Sequence, residues 1–152
     1  MKKLLTAIAV LLVPAMSAQA GKEQTMDHAA GEFDVTLKPV SAADEPLMRM
    51  SIDKIFHGDL QATSLGQMMA GGNDANGARV YVALETVTGS LKGRTGSFIL
   101  AHRGTMSSQG QMLSVIIVPD SGTDQLSGIS GTLDIDIRDG KHFYTMDYAL
   151  PE

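Results

Sequence analysis

The sequence predicts an all-β domain, a barrel or sandwich laid out as an antiparallel meander, and three observations predict it. Short stretches alternating apolar with polar residues fall at 80–87, 97–105, 111–118, 132–138 and 142–150. Between them stand turn residues: Thr88-Gly89 with Gly93-Arg94-Thr95-Gly96, then Gln109-Gly110, Ser121-Gly122, Gly128 and Gly131, and Asp139-Gly140. Several short strands with turn signals at this spacing mark such a fold. No segment keeps a helical period for more than about two turns. The turns recur without a fixed repeat length, which is the mark of a meander and not of a solenoid.

The first twenty residues read as an export signal. Lys2-Lys3 precede an apolar run at 4–13, and Ala18-Gln19-Ala20 places small residues where a signal peptidase cuts. The apolar run is too short to span roughly 30 Å of hydrocarbon. The expected organisation is a cleaved signal peptide at 1–20, a flexible lead-in at 21–30 and a single barrel domain at 31–152. The product is expected to be periplasmic or secreted, without a stable membrane anchor. Without Lys2 and Lys3, ten basic residues face seventeen acidic ones, a net charge of −7. That balance repels phosphate backbones, so nucleic acid is not an expected partner. The chain has no cysteine, which excludes thiol nucleophiles, thiolate metal sites and disulfides.

Taken in order, Phe33, Val35 and Leu37 alternate with Asp34, Thr36 and Lys38, a half-buried strand. Residues 39–46 read as a connection. From 48 to 63 the chain is extended, with Met50, Ile52, Ile55 and Phe56 apolar. Its parity slips between Ile52 and Ile55, which predicts a bulge or two strands joined near Asp53-Lys54. Residues 66–77, with Gly71-Gly72 and Asn73 to Gly77, read as a loop, with 67–70 a short extra strand at most. Leu133, Ile135 and Ile137 face one way, Asp134 and Asp136 the other. Asp139-Gly140 is the strongest short hairpin signal, and Tyr144, Met146, Tyr148 and Leu150 share a side of the returning strand. The count is about eight strands, enough to close around a core with room for one small ligand.

Several strings are recognisable in combination: 81–89 (YVALETVTG), 93–106 (GRTGSFILAHRGTM), 118–123 (VPDSGT), 126–131 (LSGISG), 139–144 (DGKHFY) and, upstream, 56–60 (FHGDL). Together they resemble the domain-of-unknown-function family 3224, from about His28 to Leu150. Glu32 stands where that family is expected to have a small residue, and Asp124 where it often has glycine; neither disturbs the frame. The resemblance implies a partly open eight-stranded meander barrel, similar to the allene oxide cyclase-like or calycin-like barrels. It implies no activity, and a cyclase reaction would rest on fold analogy alone.

Parity also selects side chains that can carry chemistry. Phe98, Leu100 and His102 share a face; so do His142, Tyr144, Met146 and Tyr148. Glu85 goes with Tyr81, Ala83 and Val87, opposite Val80, Val82 and Leu84, and the pattern leaves open which side points inward. If Glu85, His102 and Tyr144 met in an apolar lumen, they would offer base, acid and carbonyl polariser for an isomerisation. His142, Tyr148, Phe98 and Leu100 would then line the ligand. A plainer reading pairs Glu85 with Arg94 or Arg103 and leaves the tyrosines in the core. His57 and Asp59, with His102 and His142, lack the tight spacing of a zinc site, and no metal or cofactor is expected. Met48, Met50, Met68, Met69 and Met112 suit either core filling or an adaptable cavity.

Three functional classes follow. The leading expectation is a non-enzymatic barrel holding a small apolar or amphipathic ligand. A second is an isomerase or cyclase built on Glu85, His102 and Tyr144. The third is an envelope protein that forms homo-oligomers through an outer patch of Val80, Val82, Leu84, Ile116 and Val118.

Overall fold

Eight antiparallel strands follow one another around a closed barrel in chain order in the computed structural model, which describes residues 25–42, 44–73 and 75–151. They are β1 (Asp27–Pro39), β2 (Met48–Gly58), β3 (Leu60–Asn73), β4 (Ala78–Leu91), β5 (Arg94–Ser107), β6 (Gly110–Ile117), β7 (Ser130–Arg138) and β8 (Lys141–Ala149). A 3-10 turn at Asp124–Leu126 is the one helical piece among the described residues. The ring closes through seven register pairs between β1 and β8, from Asp27–Tyr148 to Phe33–His142. Its weak seam lies between β6 and β7, joined only by Ile116 and Thr132. Whatever openness this barrel has is concentrated there.

Three strand links are two-residue turns, at Lys92-Gly93, Ser108-Gln109 and Asp139-Gly140. The first and the last have positive φ at each central residue, the geometry that matches the twist of antiparallel strands. The first is narrower than the sequence indicates, because Gly89 and Gly96 remain in the ladder as register partners.

Upstream, three expectations need correction. Residues 27–30 belong to β1 and pair with β8, so they are not a mobile lead-in. The link between β2 and β3 falls at Gly58-Asp59, not at Asp53-Lys54. No parity slip exists, since Ile52, Lys54 and Phe56 all point inward and Ile55 outward; the apparent slip is a lysine in a core position. The expected loop at 66–77 is largely strand, with the β3–β4 turn confined to the residues after Asn73. Residues 1–20, the expected signal peptide, lie outside the described residues.

The two ends of the barrel differ. At one, the β2–β3 and β4–β5 turns and the β6–β7 connection converge, and Phe56, Leu60, Leu91, Phe98, Leu126 and Ile129 pack the interior solid. The 118–125 stretch runs beside β5 as a pseudo-strand. Val118 and Thr123 donate backbone N–H groups to Ile99 and Ser97, while the Ser121 and Thr123 hydroxyls accept from the same two residues. Buried backbone needs such partners once β6 has left the ladder. At the other end, where β1–β2, β3–β4, β5–β6 and β7–β8 connect, the interior opens to a mouth.

Candidate functional site

Midway along the barrel the inward positions turn polar. Lys54 (β2), Ser64 (β3), Glu85 (β4) and His102 (β5) form the buried polar group of the structure. Glu85 is the hub. Its Oε1 accepts from Lys54 Nζ at 2.6 Å and from His102 Nε2 at 2.7 Å, and its Oε2 accepts from the Ser64 hydroxyl at 2.6 Å. The Glu85 side chain is 0 % exposed and that of Lys54 7 %. Lys54 Nζ also sits 4.8 Å from the Phe33 ring centroid and 5.7 Å from that of Phe56, so aromatic faces share its charge. Burial pushes the Glu85 carboxyl up. The hydrogen bond from His102, the charge and hydrogen bond of Lys54 and the bond from Ser64 outweigh that and hold it down at about 2.

Above the cluster, toward the mouth, Tyr81 lies across the lumen. A Cβ at Gly104 would sit 2.0 Å from Tyr81 Cε1, so only glycine leaves room for the ring there. Burial and the Glu85 charge both push the Tyr81 phenol up. Beyond it lies a cavity of about 410 Å³, lined mainly by inward residues: Met68, Ala70, Tyr81, Met106, Leu113 and Ile137, with Arg79 and Gln111. It reaches β6 on one side and β7 on the other, so it abuts the seam.

Of the trio suited to acid–base work, Glu85 and His102 are brought together and Tyr144 is not. The Tyr144 hydroxyl accepts from the Leu60 backbone N–H at 2.9 Å and donates to the His57 carbonyl at 3.1 Å, at the packed end. Leu60 and Ser64 lie on one strand, roughly 13 Å apart at about 3.3 Å per residue, which places Tyr144 far from Glu85. Its ring meets Phe56 edge-on at 5.7 Å. Tyr144→Phe should therefore leave two backbone groups without their partner and cost about 1–3 kcal/mol in urea unfolding. A loss within experimental error would remove this anchoring role.

Phe98, Leu100 and Tyr148 are core residues, and the His142 ring lies tilted against Phe33 at 5.1 Å beside a cavity of about 270 Å³ on β1 and β8. None of the four lines the mouth cavity. Glu85 pairs with Lys54, not with Arg94 or Arg103; Arg103 points outward. His57 also points outward, 3.1 Å from Asp34, on the opposite face from His102. Among the described residues no group of three or more His, Asp or Glu is placed to hold a metal ion. Met50 and Met68 face inward, whereas Met69 and Met112 face out.

Sequence reasoning missed Lys54, Ser64 and Tyr81. One signal was available: Ile52, Lys54 and Phe56 alternate without interruption once a lysine is allowed inside, and a buried lysine requires a buried carboxylate such as Glu85.

The geometry has close parallels. A family model described as "Protein of unknown function (DUF3224)" matches residues 29–148. The crystal structure of a protein of unknown function from the same family, from Shewanella oneidensis MR-1 at 1.84 Å resolution, is 39 % identical, with a TM-score of 0.78. The match covers 84 % of this chain and all of that one. No curated protein matches the chain. The chain thus belongs to the DUF3224 family, whose members are of unknown function.

Proposed function

We propose that this protein is an exported, non-enzymatic binding barrel that holds one small apolar or amphipathic molecule in its mouth. The observation that carries the reading is the contrast between a solid packed end and the 410 Å³ apolar cavity at the other. That volume is in the range of small-molecule pockets, which combine apolar walls with a few polar groups. Here Tyr81, Gln111 and Arg79 are the polar groups, and methionines let the wall adapt. The basic and apolar pattern of residues 1–20 supports export. The eight-strand meander ring supports a kinship with allene oxide cyclase-like barrels, without their chemistry.

The isomerase reading has less support. A carboxylate held at about 2, with both oxygens already accepting hydrogen bonds, is a poor base at neutral pH. Tyr144, its supposed polariser, is engaged elsewhere.

The test is titration with the amphipathic anion 1-anilinonaphthalene-8-sulfonate, followed by fluorescence and native mass spectrometry. One probe per chain is expected, and Ala70→Trp, which fills the mouth, should weaken binding at least about tenfold while Asp134→Asn on the polar outer wall leaves it unchanged. Binding insensitive to Ala70→Trp, or no binding, would sink the mouth as a ligand site.

A further inference from the structure

We propose that the outer face of β3, β4 and β5, centred on Leu84, is the interface with a second copy of this chain. The barrel wall is strongly two-sided. Outward positions of β7, β8 and β1 carry Asp134, Asp136, Lys141, Asp147, Glu32 and Asp34. Outward positions on the other wall carry Leu65, Met69, Val80, Val82, Leu84 and Ile116. Leu65 is 67 % exposed, Leu84 60 % and Val82 52 %.

The register makes these residues one surface. Gln67, Leu84, Ala101 and Ile116 stand side by side across four strands, and Met69 and Val82 lie in the adjoining row, which Arg49 and Arg103 close at either side. A groove of about 450 Å³ runs along this wall between Met69, Val82, Leu84 and Ala101, with Arg49 and Gln67 at its border. Six large side chains, each about half exposed, present an apolar area on the order of several hundred Å², the size of the largest patch a typical monomer leaves open, which is often a functional surface. Doubled across two copies, that approaches the roughly 1,200–2,000 Å² of a stable association.

A copy fits better than other occupants. Leu84 is the most exposed apolar side chain of its row, and its register neighbour Ala101 is the smallest. A two-fold axis that exchanges β4 and β5 lays Leu84 of each copy over Ala101 of the other, a self-complementary fit that an isologous interface requires. A lipid surface is disfavoured, because the chain carries a net charge of −5 and only Arg49 and Arg103 border this wall, Arg49 being already paired with Glu45, which is fewer basic groups than anionic headgroups call for.

The measurement is sedimentation velocity of the purified protein from about 1 to 100 µM, a range that brackets micromolar association. A species of twice the chain mass is expected at the upper end. Leu84→Lys should weaken it at least about 30-fold, as a central anchor does, with the thermal midpoint of unfolding of the isolated chain unchanged, since the position is solvent-facing. Asp134→Lys, on the polar wall, should leave association intact. A single-chain mass at 100 µM, or an oligomer indifferent to Leu84→Lys, overturns the proposal.

Discussion

Glu85→Leu is expected to cost the fold about 3–5 kcal/mol, a large share of the roughly 5–15 kcal/mol that holds a domain of this size together. The cause is what the substitution leaves behind. Lys54 Nζ would remain inside the barrel without the oxygen 2.6 Å away, and Ser64 and His102 would lose their acceptor too. An uncompensated charge in a low-dielectric interior is far costlier than the net worth of the pair that contained it. The double variant Lys54→Met with Glu85→Leu should recover a large part of the loss, since the charge that needed a partner is gone. Far-UV circular dichroism followed through urea unfolding checks both. A Glu85→Leu loss below about 1 kcal/mol, or a double variant no better than the single one, would mean the cluster is not the keystone its burial implies.

The same carboxylate should give the protein an acid limb. Its folded-state pKa lies below the ordinary value of 4.5, at about 2. In the unfolded chain the group takes up protons around 4.5, and in the folded barrel only near 2. Its stabilisation is therefore fully present above the unfolded value and is withdrawn progressively as pH falls toward the folded one. At about 1.4 kcal/mol per unit, the amount at stake is roughly 3 kcal/mol. Glu45, held down by its exposed hydrogen bonds with Arg49 and Ala42, titrates in the same window, so the wild-type profile alone is ambiguous. The discriminating comparison is Glu85→Gln, which should start less stable at pH 7 and lose less between pH 5 and 2.5. Parallel profiles for the two proteins would separate Glu85 from acid sensitivity.

The sequence makes the barrel legible where its rules are local. Alternation and tight turns place β4 to β8 within a few residues, because a two-residue hairpin and a half-buried strand impose period and φ on the residues that form them. The upstream half reads less well for one physical reason. Parity analysis assumes that inward means apolar, and at Lys54 it does not. A single buried cation displaced the β2–β3 turn by several residues and hid the partner of Glu85. Gly66, Gly71 and Gly72 misled similarly, since they read as loop and stand in β3. Within the site, the shared face of Glu85 and His102 depended on which side of β4 points inward, and only the closed ring decides that. Tyr144 faces inward too; its height along the barrel axis, which parity does not encode, separates it from the pair.

The seam between β6 and β7 changes what the pairing of β1 with β8 means. Cut at Ile116–Thr132, the ring unrolls into an eight-strand sheet whose order runs β7, β8, β1, β2 and onward to β6. The first and last strands of the chain then sit side by side in the interior of that sheet, held by a continuous ladder. The free borders belong to two strands from the middle of the sequence, tied by the connection at 118–129. The molecule is built like a clasp: its spring is the β1–β8 ladder, and its jaws are where the mouth cavity meets the wall. Opening concentrates at the joint with fewest bonds, so on the binding reading proposed above a guest molecule enters between the jaws while β1 and β8 stay fastened.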